Sequence, residues 1–274
     1  MPPAIGPWRA GGAIEGETMR HVKPGGTALV TGAGVRIGAA IARDLGRNGF
    51  DVVLHCRNSR TEADALAAEI RESGARAAVV AGDLAETQGI YRILGEATEA
   101  LGTIDLLVNS ASTFEIDEIG RLDPELFERQ LRINLTAPCL LADAFAARLP
   151  ADRGGNIVNI VDQRVLKLTP QFFSYTLAKS ALWTATQTMA QALAPRIRVN
   201  AIGPGPTAIS ARQSADDFAR QVAAVPLGHG PRLEEFGRAI RFLVETPSIT
   251  GQMILLDGGQ HLAWQTPDVI GVGE

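Results

Sequence analysis

The stretch "TALVTGAGVRIGAAIARDLGRNG" (27–49) decides how the rest of the chain is read. Its first part, "TALVTG" (27–32), is a short apolar run that ends in glycine, the mark of a buried strand breaking into a tight turn. "IGAAIARDLGRNG" (37–49) then carries apolar residues at helical spacing and stops at Gly49, a residue suited to a helix terminus. A strand, a glycine turn and a helix in that order make the opening of a βα unit. Gly32 permits the turn, Gly38 lets the helix pack close to it, and the helix N-terminus presents free N–H groups to an anion. The motif by itself is also compatible with a plain βα turn.

Outward from this stretch the same alternation repeats. Strand patterns occur at 51–56, 75–83, 104–112, 156–161, 197–202 and 252–257, which with the first makes seven. Between them lie helical patterns at 60–74, 86–101, 123–149, 172–194 and 232–245. The helix over 123–149 starts with Asp123 as N-cap and Pro124 at its first position. Alternating strands and helices predict right-handed crossovers and a parallel sheet covered on both faces, with ligands outside the carboxyl ends of the strands. No linker or repeat interrupts the pattern, so one domain over 25–264 is expected. Residues 1–24, rich in Gly and Pro and without period, are expected to form a disordered arm, with Met19 an alternative start; 265–274 are expected to be a tail.

Composition narrows the function classes. The chain has 274 residues, 46% of them hydrophobic and only 5% aromatic, which fits an aliphatic core. A net charge of −4 argues against nucleic acid or an anionic membrane as partner. No apolar run approaches the ~18 residues of a membrane helix. Cys56 and Cys139, the only cysteines, give neither metal spacing nor a disulfide framework, so a cytoplasmic location is expected.

The residues after each strand carry the chemistry. After the second strand comes "RNSR" (57–60), where a site for unphosphorylated NAD would place an acid on the ribose. Arg57, Asn58, Ser59 and Arg60 suit a 2′-phosphate instead, and the missing acid weighs more than either Arg, since one Arg alone is usually a solvated loop residue. After the third strand, Asp83 in "GDL" (82–84) either accepts from an adenine amino group or starts the next helix as an N-cap. Tyr175 and Lys179, four residues apart, stand one above the other on a helix. Alone they read as an ordinary surface pair.

Together "TGAGVRIG", "GDL", "NSAS" (109–112), Asn134 in "RINLTAP", "SYTLAKSAL" (174–182), "IRVNAIGPGPT" (197–207) and "ITGQMILLDGG" (249–259) resemble the short-chain dehydrogenase/reductase family over nearly all of 26–260. The resemblance implies a Rossmann-type, doubly wound, seven-stranded α/β fold, NADP(H) as cofactor, a small-molecule substrate and a homotetramer. It implies Tyr175 as proton donor, Lys179 as the cation that lowers the phenol's pKa, and Asn134 as support for a proton-relay water. It places Gly32, Arg36, Ile37, His55, Arg57, Asn58, Ser59, Asp83, Leu84, Asn109, Ser110, Ala111, Pro204, Gly205 and Thr207 on the cofactor. Segment 208–231 would be a lid that selects substrate; with Phe218 its only aromatic residue it suits a compact one.

Three positions depart from the family pattern. Arg36 stands where a middle glycine is common, Ser110 where an Asn is usual, and Asp162, thirteen residues before Tyr175, where a Ser is usual. The Arg36 and Asp162 departures are similar to the pteridine reductase and dihydromonapterin reductase branch, as are "LHCRNS" (54–59), in which His55 begins the basic loop, and "NSASTF" (109–114). In that branch Phe114 would stack on a pterin ring, forming a sandwich with the nicotinamide, and Ser112 and Arg36 would meet its polar edge. A carboxylate beside a forming alkoxide repels it, whereas a ring C=N bond needs a proton at nitrogen as hydride arrives at carbon. Asp162 therefore argues for reduction of a pterin-like C=N bond. The alternatives are an Asp162 that merely pairs with Arg164 or Lys167, a Phe114 that is core, and an Arg36 that binds only phosphate. Arg164 would reach an acidic group on the substrate. The competing readings of the whole chain are a reductase of small carbonyl substrates, such as a 3-oxoacyl thioester, and a non-catalytic NADP-sensing module.

Overall fold

The computed structural model describes residues 25–208 and 214–265. The expected arm, the tail from residue 266, and positions 209–213 of the lid segment lie outside the described residues. Seven strands form one all-parallel sheet: β1 (Thr27–Val30), β2 (Asp51–Cys56), β3 (Ala77–Ala81), β4 (Leu106–Asn109), β5 (Gly155–Ile160), β6 (Ile197–Pro204) and β7 (Met253–Leu256). Their spatial order is β3-β2-β1-β4-β5-β6-β7, so the chain reverses its winding between β1 and β4. Among the described residues the α-helices are α1 (Arg36–Arg47), α2 (Arg60–Glu72), α3 (Thr87–Leu101), α4 (Pro124–Leu131), α5 (Ala137–Arg148), α6 (Phe173–Leu193), α7 (Ala215–Ala223) and α8 (Leu233–Glu245).

Successive side chains on a strand point to opposite faces, and the core divides accordingly. Ala28, Val30, Val52, Leu54, Leu106 and Val108 pack with Ile41 and Leu45 of α1, Ile70 of α2 and Phe236 and Ile240 of α8. Leu29, Val53, Leu107, Ile157 and Val199 turn the other way, onto Ile93 and Leu94 of α3 and Leu141 and Phe145 of α5. Both faces of the sheet are thus covered, which is why its strands read as unbroken apolar runs.

The expected single helix over 123–149 is two helices joined by a π-turn, Arg132–Thr136. Pro138 is the cause. It has no N–H for the carbonyl four residues back, that of Asn134, and its ring crowds that carbonyl. The chain takes an extra residue instead, and the Ala137 N–H reaches the carbonyl of Arg132. Asp123 caps α4 as expected, its carboxylate accepting from Glu125 and Leu126 N–H. Segment 208–231, read only as a lid, contains α7, opened by Ser214 as N-cap to Asp217 N–H.

Candidate active site

A cleft of about 900 Å³ opens at the carboxyl ends of the strands, across the β1/β4 reversal. The residues assigned to cofactor, substrate or catalysis from the sequence line it, with three exceptions, Arg60, Asn109 and Asn134.

At one end the β1–α1 turn is compressed against its surroundings. A Cβ on Gly32, which has φ +66°, would stand 2.8 Å from Ala111 Cα; one on Gly38 would stand 2.2 Å from the Gly32 carbonyl oxygen. The N-cap residue Val35 gives no side-chain bond to the open N–H groups of α1, and the first turn of the helix holds no acid. This is the arrangement that binds a pyrophosphate. Arg36 is held at φ 54°, and its guanidinium donates to the Ala208 carbonyl at 3.1 Å, tying the turn to the loop after β6. A Cβ on Gly205 would stand 2.6 Å from Asp257 Cα, so that loop also needs its glycine.

His55, which begins the basic loop, lines the cleft and is tied in on both ring nitrogens. It is 2% exposed, accepts from Gly32 N–H at Nδ1 (3.3 Å) and therefore donates from Nε2 to the Gly82 carbonyl (3.0 Å). Burial lowers its pKa, so the ring is a neutral strut between the turn and β3. Arg57 lines the cleft but faces Asp83 at 3.5 Å, as does Arg129 at 3.7 Å. Arg60 does not line it: it begins α2 and pairs with Asp64. Asp83 is not the cap of the next helix, which starts at Thr87; its carboxylate accepts from Ala85 N–H within a turn. Asn109, expected on the cofactor, lies 3% exposed within the sheet and donates to Asn159.

The other end is built around α6. Tyr175 Oη donates to Asp162 Oδ2 at 2.8 Å. The other oxygen of Asp162 accepts the backbone N–H of Arg164 at 2.8 Å, capping a 3₁₀ turn over Gln163–Val165. Asp162 thus bonds to the backbone of Arg164, and the Arg164 guanidinium acts on it only through space. Lys179 Nζ donates to the Ile160 carbonyl at 2.7 Å and lies 5.7 Å from the Tyr175 ring centre.

The electrostatics reverse one expectation. The resemblance implied a phenol whose pKa falls. Here burial, then the charge and hydrogen bond of Asp162, raise it well above its usual value. Burial also raises the Asp162 carboxyl, against the opposing pull of the Arg164 N–H, Tyr175 Oη, the Arg164 guanidinium and Lys179. Burial brings Lys179 down to about 8, with Asp162 holding it up.

Several supporting residues had no signal in the sequence. Thr31 Oγ1 accepts from both Ser110 and Ala111 N–H at 3.0 Å, pinning the β4 loop to the β1 turn. The start of α6 is capped from afar: Asp117 accepts from Ser174 N–H through both carboxylate oxygens at 3.2 Å, and the fully buried Gln130 donates to Ser174 Oγ at 2.8 Å. Asn134, by contrast, was singled out from the sequence as support for a proton-relay water; set in the π-turn, it accepts from Ser112 Oγ (2.7 Å) and Thr113 N–H (3.2 Å) and donates to the Thr113 carbonyl (2.8 Å). It clamps the loop that carries Ser112 and Phe114.

Phe114 is 36% exposed and so is not core. One of its faces lies against Phe172, with ring centres 4.1 Å apart and planes 8° from parallel, and the Tyr175 ring meets it edge-on at 4.6 Å. Phe172 holds a left-handed backbone (φ 59°) at the N-cap of α6.

The short chain dehydrogenase family model matches residues 26–219. Among solved structures, the FolM alternative dihydrofolate reductase 1 of Brucella canis, complexed with NADP, is 54% identical with a TM-score of 0.87, covering 90% of this chain and 98% of that one. Its counterpart from Brucella suis, also with NADP, is 54% identical with the same TM-score, covering 89% and 98%. The 3-oxoacyl-[acyl-carrier-protein] reductase of Synechocystis sp. is 32% identical, covering 85% of this chain and 95% of that protein. With its doubly wound parallel sheet, its glycine turn and the Tyr175–Lys179 pair at the strand ends, the chain belongs to the short chain dehydrogenase family.

Proposed function

We propose that the protein is an NADPH-dependent reductase of a pterin-like ring, adding hydrogen across a C=N bond. The observation that carries this reading is the 2.8 Å hydrogen bond from Tyr175 Oη to the Asp162 carboxylate, at a position where the family pattern has a hydroxyl. The 54% identity to the FolM structures supports it.

The cleft suits the cofactor. The α1 N-terminus and the close-packed glycines at 32 and 38 suit a pyrophosphate, while Arg57, Asn58 and Ser59, with no acid at the end of β2, suit a 2′-phosphate. Ile37, Leu84, Ser110, Ala111, Pro204 and Thr207 line the same cleft and complete the cofactor wall. NADP(H), when bound, supplies the hydride. The chain's own residues handle the proton. It rests on Tyr175 Oη, because burial and the adjacent carboxylate keep the phenol protonated. As a ring carbon gains hydride, its nitrogen becomes basic and takes that proton, giving CH–NH from C=N. Asp162, whose pKa burial raises, supplies or relays the replacement at Oδ2. Lys179 keeps a cation next to the pair, and Asn134 positions the Ser112–Phe114 loop against the substrate.

The second reading, reduction of a small carbonyl, is supported by the Synechocystis relative and requires Asp162 to react in its protonated form. The two separate in one assay: NADPH oxidation with dihydrobiopterin or dihydromonapterin, run beside acetoacetyl thioester. We expect turnover of the pterin, and turnover of the thioester alone would replace the first reading by the second. A non-catalytic sensing module is opposed by the intact Tyr175–Lys179–Asn134 set. We further infer one reductase domain over 25–264 and a cytoplasmic homotetramer. Exposed Phe242, Leu262 and Trp264 support self-association, and among the described residues no helix is long and apolar enough to cross a membrane.

A further inference from the structure

Arg164 has an environment that its place in the 3₁₀ turn capped by Asp162 does not explain. It lines the cleft within one continuous wall that also holds the Tyr175–Asp162 pair. Its guanidinium carbon lies 5.2 Å from the Phe172 ring centre and 5.8 Å from that of Phe114. The cation thus lies beside the stacked Phe114–Phe172 pair, and aromatic rings offer no in-plane acceptor to its N–H donors. The side-chain acceptor it has is a neutral one, the hydroxyl of Thr169. Nε is buried and has no hydrogen-bond partner. The other arginines of this cleft are answered: Arg57 and Arg129 face Asp83, and Arg36 bonds a backbone carbonyl. Among the described residues Arg164 has no carboxylate within salt-bridge distance. A half-buried guanidinium with an unsatisfied donor is costly unless a ligand completes it, and a planar fork of N–H groups matches a carboxylate best.

We propose that Arg164 is a specificity-determining residue that takes a carboxylate on a substituent of the substrate ring. The substrate class is then a fused heteroaromatic ring bearing an anionic tail, of which dihydrofolate is an example, in preference to a ring with a neutral side chain. This rests on the pterin reading above. The ring lies along the aromatic wall with its C=N at Tyr175 and Asp162. The tail runs past Phe114 and Phe172 to the guanidinium, which is held beside the two rings and by Thr169.

The test is steady-state NADPH oxidation by the full-length wild type, R164M and R164K, with dihydrofolate and with dihydrobiopterin. In the wild type, dihydrofolate has the higher kcat/KM. R164M lowers kcat/KM for dihydrofolate about tenfold more than for dihydrobiopterin, chiefly through KM, as loss of one charge-assisted contact requires. R164K restores part of the preference, since it keeps the charge without the fork. Equal losses on both substrates in R164M make Arg164 a support for Asp162 and overturn the assignment, as does an unchanged ratio. Turnover of neither substrate by the wild type overturns the pterin reading and this assignment with it, whereas turnover of both without an effect of residue 164 on their ratio overturns this assignment alone.

Discussion

At the scale of single residues, the site turns on where one proton rests. Tyr175 lies against a carboxylate, and its phenol stays protonated because ionising it would place two negative charges side by side in a buried space. Removing the phenol's oxygen in Y175F should lower kcat by about 10²–10⁴-fold while NADPH binding, read by fluorescence titration, persists. Lys179 gives the pH limit. Its pKa lies at about 8, so the ammonium is present below that pH and lost above it. Activity that needs the cation should therefore fall as pH rises through about 8. In D162N the break should move to lower pH, because the carboxylate is what holds Lys179 up. A pH–kcat/KM profile whose break stays put in D162N would disconnect the two groups. The i,i+4 spacing of Tyr175 and Lys179 was legible in the sequence; the direction of the phenol's pKa was not. Spacing says which side chains share a helix face, whereas the pKa depends on burial and on an oxygen 2.8 Å away, contributed by a different segment.

At the scale of elements, much of the structure is devoted to holding loops in place. The strand ends were legible because apolar runs break at glycine or at polar residues. The devices that fix the loops were not, because each is a contact between distant segments. Thr31 is a fair example: it reads as the last residue of an apolar strand, yet its hydroxyl accepts two N–H groups some eighty positions away. T31V keeps the shape and removes the acceptor. It should cost about 2 kcal/mol of stability in denaturant unfolding, and T31S should recover most of it. The π-turn teaches the complementary point. Periodicity carried a single helix through 123–149, but Pro138 cannot donate to the carbonyl of Asn134, and the local chemistry of one residue overrides the pattern. The break falls at the Asn that clamps the Ser112–Phe114 loop.

At the scale of the whole molecule, two aliphatic layers on a parallel sheet leave one rim for chemistry. The alternation of strands and helices predicted that rim, and the residues assigned to the site from the sequence, except Arg60, Asn109 and Asn134, lie on it. A cofactor that spans the β1/β4 reversal binds only the folded chain, so it should stabilise the whole molecule. NADPH at a hundredfold excess over its Kd should add about 2.7 kcal/mol, or roughly 5–10 °C in Tm. NADH at the same concentration should add much less, and R57D should narrow the difference between the two. Equal shifts with both cofactors in the wild type would move the 2′-phosphate away from Arg57.

The most direct test of the central claim compares the wild type with D162S. Both are assayed for NADPH oxidation with dihydrobiopterin, and both are titrated with NADPH to measure binding. The account predicts that D162S loses at least about a hundredfold in pterin reduction while its NADPH affinity stays within a few-fold. Equal pterin turnover by the two proteins would contradict it, and would show that the carboxylate beside Tyr175 does not deliver the proton to a C=N bond.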